Sequence, residues 1–222
     1  MENIVLIETS LSEYREIWKL QKKLFNRVNK QRNLNYLIFA EHKPIITIGK
    51  SGNKAHLLTD PNKLKAKSIE VVEVDRGGDI TFHGPGQIVG YPIINLMNFK
   101  PDIHWYLRSI EQVILDTLTN IGISANRIQG LTGIWVEDKK ICALGVKITR
   151  WVTMHGFALN VSTNLDYFQH IIPCGLKNRG VTSISEILGN IIALKDVYKY
   201  LITNFEKVFN VKIVTQQSTA II

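Results

Sequence analysis

Two glycine-rich stretches of the sequence combine residue types that can carry out acyl transfer. The first, RGGDITFHGPGQ at residues 76–87, has glycines that let the backbone fold closely around a ligand. The second, IPCGL at residues 172–176, presents the thiol of Cys174 between a proline, which fixes a backbone dihedral, and a glycine, which leaves the approach open. A rigid, accessible thiol beside a glycine-lined pocket predicts acyl chemistry through a thioester.

Cys174 needs a neighbouring cation or base, because a thiol with a pKa of about 8.5 is only a few per cent thiolate at neutral pH. Free cysteines are more often small buried hydrophobic residues, but the flanking proline and glycine predict a turn for this one. The basic candidates for its partner are Lys140, Lys147, Arg150, His83 and His155. The residue types alone do not decide between them.

Composition excludes several classes of protein. The 222 residues, 45% of them hydrophobic, predict a single domain over residues 1–222, with a loose tail at about 215–222. No apolar run reaches the roughly 18 residues of a membrane span and no secretory signal is recognisable, so we expect a cytoplasmic protein. Two distant cysteines argue against a disulfide framework and against a metal site, and Cys142, in an apolar run, is predicted to be a buried packing residue.

The net charge of +8 either reflects a lysine-rich composition or indicates an anionic partner, which would be nucleic acid or an acidic protein. No dense basic block or nucleic-acid-binding motif supports nucleic acid. The glycine cluster at 76–87 also lacks the spacing of a Walker or dinucleotide-binding loop, so the pattern does not imply ATP.

Apolar periodicity predicts the elements that must position these residues. Helices are predicted at residues 10–29 with Ser12 as N-cap, from Asp102 to about Gly122, and at 195–209. Strands are predicted at residues 36–40, 45–48, 69–74, 88–96, 133–137, 141–149, 157–161 and 211–214. The stretch at 76–87 is then a wide hairpin between two strands. Helices separated by hairpin-linked strands are typical of an α+β fold with a mixed, largely antiparallel sheet flanked by helices.

Several long motifs resemble those of the lipoyl(octanoyl) transferase family. They are RGGDITFHGPGQ at 76–87 followed by YPI at 91–93, GIWV at 133–136, KICALG at 140–145, HGFALN at 155–160, and IPCG at 172–175 followed by VTS at 181–183. Their order and separations fit as well, and the resemblance covers roughly residues 37–188. Two departures are visible: Phe82 stands where the family often has tyrosine, and Cys142 where alanine is usual.

The resemblance implies the α/β fold of the biotin and lipoate protein ligases and an octanoyltransferase of lipoate biosynthesis. It implies Cys174 as the nucleophile and Lys140, rather than Lys147, as its activating lysine; His155 is kept as a supporting candidate. The acyl chain is expected among Arg76, Gly77, Gly78, Asp79, Ile80, Thr81, Phe82, His83, Ala143, Leu144, Gly145, Gly156, Phe157 and Ala158.

The resemblance also implies the partners. The donor would be octanoyl-acyl carrier protein, which holds the acyl group on phosphopantetheine. The acceptors would be lipoyl domains of 2-oxoacid dehydrogenase E2 subunits and the glycine cleavage H protein. No ATP, other cofactor, metal, nucleic acid or membrane is expected, and the enzyme is expected to be a monomer.

Three other functions stay open on the sequence. An ATP-dependent lipoate–protein ligase would need an adenylate site and no essential cysteine. A basic nucleic-acid-binding protein would need no acyl chemistry. A cysteine hydrolase would pair Cys174 with His83 or His155 and pass the acyl group to water. In any acyl transfer, backbone N–H groups near Gly175 or Gly78 are candidates for stabilising the oxyanion.

Overall fold

The computed structural model describes residues 2–176 and 179–215. The helices in these ranges are α1 (Tyr14–Lys30), α2 (Pro61–Ala66), α3 (Ile103–Asn120), α4 (Ile184–Leu188) and α5 (Leu194–Phe209). The strands are β1 (Glu2–Ser12), β2 (Tyr36–His42), β3 (Ile45–Ile48), β4 (Glu70–Glu73), β5 (Ile80–His83), β6 (Gln87–Ile93), β7 (Asn126–Ile128), β8 (Leu131–Val136), β9 (Lys139–Thr149), β10 (Val152–Asn160) and β11 (Val211–Thr215). Short 3-10 turns include Lys54–His56 and Pro173–Gly175.

Two β-sheets organise residues 2–176 and 179–215. The larger has eight strands in the order β11-β1-β2-β6-β10-β9-β8-β7. In it β1 runs parallel to β11 and β2, and the other neighbouring strands are antiparallel. The smaller has the order β4-β3-β5, with β3 parallel to β4 and antiparallel to β5. The predicted α+β fold with a mixed, largely antiparallel sheet is confirmed.

Helices cover both faces of the large sheet. Successive side chains of a strand point to opposite faces, so apolar residues on both faces need a covering layer. On β2, Phe39 packs into a cluster with residues of α3 and α5, whereas the neighbouring Ile38 packs into another cluster with residues of α1. No helix in the described ranges has both the length and the apolar character needed to cross a bilayer.

The three long helices lie where the periodicity predicts them, with small shifts at their ends. Glu13, and not Ser12, is the N-cap of α1. Asp102 caps α3 as predicted, since its side chain accepts a hydrogen bond from the N–H of Trp105 at 3.0 Å. The predicted loose tail lies outside the described residues except for Thr215, which ends β11.

The predicted wide hairpin at residues 76–87 is wrong. Residues Ile80–His83 form β5, which belongs to the small sheet, while β6 belongs to the large one. The physical reason is burial: Ile80 and Phe82 pack into a separate apolar cluster with Phe168. Gly84 and Gly86, which follow β5, therefore lie where the chain passes from the small sheet to the large one, whereas Gly77 and Gly78 lie between β4 and β5 within the small sheet.

Candidate active site

The predicted nucleophile and the predicted activating lysine lie side by side. Lys140 Nζ is 3.0 Å from Cys174 Sγ, although 34 residues separate them in the chain. Lys140 is only 7% exposed, and its ammonium lies 4.7 Å from the centre of the Trp135 ring. The thiol thus has a cation within hydrogen-bond distance, which is the neighbour that a nucleophilic cysteine needs.

The backbone of the Pro173–Gly175 turn has an unusual conformation at the nucleophile. Cys174 has a φ of +53°, in the left-handed region that non-glycine residues rarely adopt, and Gly175 follows at +72°. The N–H of Gly175 donates to the carbonyl of Ile172 at 3.0 Å. The Gly175 N–H is thus engaged within the turn, and Gly78, near which the other candidate N–H groups lie, lines the cleft.

Cys174 and Lys140 open into a cleft between the two sheets that holds about 840 Å³ of empty space, including its opening to solvent. The predicted residues that line it are Arg76, Gly78, Asp79, Ile80, Thr81, His83, Ala143, Leu144, Gly145, His155, Gly156, Phe157 and Ala158. The structure thus brings together most of the residues that the sequence singled out.

Two predicted binding residues, Gly77 and Phe82, do not line the cleft. The Phe82 side chain is fully buried and stacks on Tyr167, with the ring centres 4.6 Å apart. Gly77 acts through its backbone, since its N–H donates to the Val146 carbonyl and its own carbonyl accepts from Arg76. Both residues support the walls of the cleft and do not form its surface.

Sequence reasoning missed several residues of the cleft: Tyr14, Val89, Tyr91, Gly130, Leu131, Thr132 and Leu176. Tyr91 begins the YPI motif at 91–93, which was a usable signal for its importance. Tyr14 carried no such signal, because its place in the amphipathic pattern of α1 predicts only a buried packing residue.

Arg76 is held in the cleft wall by a chain of hydrogen bonds whose direction can be worked out. Arg76 donates from Nη2 to the carbonyl and the hydroxyl of Thr47, at 2.8 and 2.9 Å. Gln87 donates from Nε2 to the carbonyl of Phe82, so its Oε1 accepts from His83 Nδ1 at 2.8 Å. The other ring nitrogen of His83 therefore accepts from the Thr47 hydroxyl, at 3.3 Å. This chain fixes one tautomer of a neutral His83 and orients the guanidinium.

His83 is consequently unsuited to be the base for Cys174. Burial, with a smaller contribution from nearby His42, lowers the pKa of His83 to about 3, so the ring is neutral at physiological pH. Both of its nitrogens are engaged with Thr47 and Gln87. A cysteine hydrolase that uses His83 has no support in this arrangement.

His155 and Lys147 share a different partner, Asp75. His155 Nε2 lies 2.7 Å from Asp75 Oδ1, and Lys147 Nζ lies 2.6 Å from Asp75 Oδ2. The hydrogen bond with His155 is the main cause that holds the pKa of Asp75 well below its usual range, while burial lowers the pKa of His155. Of the basic candidates, only Lys140 contacts the thiol within the described residues, and Arg150 is exposed at the turn between β9 and β10.

Cys142 is a packing residue, as predicted. Its side chain is fully buried in the main apolar cluster, and burial raises the pKa of its thiol. It therefore offers no second nucleophile. In the described part of the chain, no group of three His, Cys, Asp or Glu side chains is arranged to hold a metal ion.

The fold and the cleft define a class of enzyme. A family model described as the lipoyl protein ligase A/B catalytic domain matches residues 13–206. The crystal structure of lipoate-protein ligase A bound with ATP superposes with a TM-score of 0.76 at 17% identity, covering 100% of this chain and 91% of that one. A biotin protein ligase from Aquifex aeolicus gives 0.55 at 13% identity, over 95% and 71%. The predicted biotin/lipoate protein ligase-like fold is confirmed.

Sequence relatives narrow the class. An octanoyltransferase of Cytophaga hutchinsonii is 44% identical over 96% of this chain and 95% of its own length. An octanoyltransferase of Christiangramia forsetii is 43% identical over 91% and 94%. The chain belongs to the octanoyltransferase family, which confirms the resemblance and the prediction of an acyltransferase in lipoate metabolism.

Proposed function

We propose that this enzyme moves an octanoyl group from acyl carrier protein to a lysine of a lipoyl domain through a thioester on Cys174. The observation that carries the proposal is the 3.0 Å contact between Lys140 Nζ and Cys174 Sγ at a cleft that both residues line. An ATP-dependent ligase would have no use for a strained, cation-paired thiol at this place. The relatives are named octanoyltransferases, which supports octanoyl as the group that is transferred.

In the first half-reaction, the Cys174 thiolate attacks the carbonyl carbon of the octanoyl thioester on the phosphopantetheine arm. A bond forms between Sγ and that carbon, and the bond to the carrier sulfur breaks. The Lys140 ammonium gives its proton to the departing thiolate. The products are octanoyl-Cys174, a neutral Lys140 amine and a free carrier thiol, so charge and protons balance.

In the second half-reaction, the neutral amine of the target lysine attacks the same carbonyl carbon. As the C–N bond forms and the C–S bond breaks, Lys140 takes the extra proton from the attacking nitrogen. The amide leaves, and the Lys140 ammonium and the Cys174 thiolate are restored. Thioester exchange is nearly balanced and amide formation from a thioester is downhill, so the scheme needs no ATP.

The cleft and the overall charge fit these partners. Burying the octanoyl chain at about 0.8 kcal/mol per CH2 contributes several kcal/mol of binding and lets the cleft select chain length. The net charge of +8 favours encounter with acidic carrier and acceptor domains, here the lipoyl domains of 2-oxoacid dehydrogenase E2 subunits and the glycine cleavage H protein. A free nucleophilic thiol suits the reducing cytoplasm. We infer that the whole chain acts as one catalytic domain and as a monomer.

The deciding experiment compares two acyl sources. The protein is mixed with a lipoyl domain and either octanoyl-acyl carrier protein without nucleotide, or free octanoate with ATP, and the domain is analysed by mass spectrometry. We expect octanoylation from the carrier alone, and none when the target lysine is replaced by arginine. Octanoylation that requires free octanoate and ATP, accompanied by ATP–pyrophosphate exchange, would instead identify a ligase.

A further inference from the structure

A histidine–carboxylate pair lies directly against the nucleophile turn. His56, at the end of the Lys54–His56 turn, places Nδ1 2.5 Å from Asp79 Oδ2. Both side chains are largely buried, at 19% and 14% exposure. Asp79 lines the cleft, whereas His56 does not, and neither proposed half-reaction involves His56.

The hydrogen bonds of Asp79 fix which atom of His56 carries the proton. Oδ1 of Asp79 accepts from the N–H of Asn53 at 3.0 Å and from its neighbour Ile80 at 2.8 Å. An ionised carboxylate only accepts hydrogen bonds, so Oδ2 must receive a proton from His56 Nδ1. The ring of His56 is thus locked in one orientation against a carboxylate that is itself fixed by the backbone.

His56 contacts the nucleophile turn on both sides of Cys174. Before the turn, the His56 carbonyl accepts a hydrogen bond from the N–H of Ile172 at 2.8 Å. After it, the pair packs on Gly175: a Cβ at that position would lie 2.7 Å from Asp79 Oδ2 and 3.0 Å from His56 Cε1. Only a glycine fits there, and the pair limits where the backbone following Cys174 can lie.

The turn needs such support because its conformation is costly. A non-glycine residue at a φ of +53° persists only when its surroundings hold it there, at a cost of about 1–3 kcal/mol. Relaxation of Cys174 to negative φ would swing its side chain and break the contact with Lys140. The hydrogen bond between His56 and Asp79 therefore acts on the very backbone that sets this contact.

We propose that His56 is a positioning residue for the nucleophile: by donating from Nδ1 to Asp79, it holds the Cys174 turn in the form that places Sγ against Lys140. The proposal rests on the proposed function in assigning Cys174 as the nucleophile. It adds a requirement for a donor at one particular atom of residue 56. Bulk or charge at that position is not sufficient.

The test exploits the different reach of two amides. In His56→Asn the amide nitrogen takes the place of Nδ1 and can donate to Asp79, whereas in His56→Gln it takes the place of Nε2 and cannot. Both are made, with His56→Ala, in a Cys142→Ala background so that Cys174 is the only thiol. His104→Asn, at an exposed position of α3, is the matched control. The readouts are the pH profile of Cys174 alkylation by iodoacetamide and the single-turnover rate of octanoylation by octanoyl-acyl carrier protein.

We expect the Ala and Gln variants to need a higher pH for alkylation and to lose about ten- to a hundred-fold in octanoylation rate, the size expected for a displaced reacting group. His56→Asn should restore most of both, and the His104 control should match the parent. Equal behaviour of the folded Asn and Gln variants, or an unchanged profile in His56→Ala, would overturn the proposal. If the Ala variant does not fold, the Asn and Gln pair still decides. The alkylation profile can be measured without any acyl transfer. The proposal for His56 and the proposed octanoyl transfer are therefore tested independently.

Discussion

Lys140 Nζ meets Cys174 Sγ at 3.0 Å at a point where the backbones that carry them are also tied together. The N–H of Lys140 donates to the carbonyl of Gly180, and its carbonyl accepts from the N–H of Thr182. The start of β9 is thereby joined to the segment that follows the nucleophile turn. The contact between the amine and the thiol is a consequence of this pairing as well as of side-chain conformation.

Replacing Cys174 by serine should abolish transfer. A hydroxyl beside an ammonium stays protonated at neutral pH, so no acyl-enzyme forms, and we expect a loss of at least about 10³-fold in turnover. The measurement is octanoylation of a lipoyl domain followed by mass spectrometry. The Cys142→Ala variant is the control and should keep near-parental activity, since that thiol is buried. Wild-type rates in Cys174→Ser would remove the residue from its role.

Replacing Lys140 by alanine should make the thiol less acidic. Loss of a cation 3.0 Å away removes its stabilisation of the thiolate, so alkylation should need a higher pH. The sign follows because a cation favours the charged form of a thiol. Lys147→Ala is a matched control on the same strand, with its amine on Asp75. Profiles that coincide for the parent and Lys140→Ala would contradict the account.

Replacing Thr47 by valine should weaken the wall of the cleft. The hydroxyl of this fully buried residue joins Arg76 to His83. Valine keeps the shape but leaves His83 Nε2 without its donor and leaves Arg76 Nη2 with only the backbone carbonyl of residue 47. A buried group left without its partner costs about 1–3 kcal/mol, which urea unfolding can measure, and octanoylation should slow because Arg76 is held by one hydrogen bond fewer. Thr47→Ser keeps the hydroxyl and should retain activity. Full stability and rate in Thr47→Val would show that the chain of hydrogen bonds is dispensable.

Stability should fall as the pH drops below about 6.5. Burial lowers the pKa of His42 to about 4 and that of His83 to about 3, whereas the unfolded chain protonates histidine near 6.5. Between these values the unfolded state binds more protons, so each residue removes up to about 1.4 kcal/mol of unfolding free energy per pH unit of acidification.

Urea unfolding at a series of pH values between 7 and 5 would measure this slope. His42→Asn should make it shallower, and His104→Asn, at an exposed site, should leave it unchanged. A pH-independent unfolding free energy over that range would contradict the burial of neutral histidines.

The sequence indicated much of the fold because strong periodicity marks helices that bury one face. It failed at β5, where burial against Phe168 depends on a contact with residues almost ninety positions later in the chain, which no local pattern reveals. β1 was also missed; it alternates buried and exposed residues only in part and owes its place to pairing with β2 and β11.

At the site, motifs identified the residues but not their partners. The residues that flank Cys174 already marked it as a nucleophile, whereas the choice of Lys140 among several basic residues came from the family resemblance. The structure separates them, since Lys147 and His155 converge on Asp75. The supporting role that we propose for His56 could not be seen in the sequence, because it depends on packing between three segments distant in the chain.

The central claim is that the sulfur of Cys174 carries the octanoyl group between donor and acceptor. Mixing the protein with octanoyl-acyl carrier protein alone, followed by intact-mass measurement and peptide mapping at low pH, tests it most directly. The account predicts one added octanoyl group, located on the peptide that contains Cys174 and lost when a lipoyl domain is added. No adduct under conditions in which the domain is nevertheless octanoylated, or an adduct confined to Cys142, would contradict it.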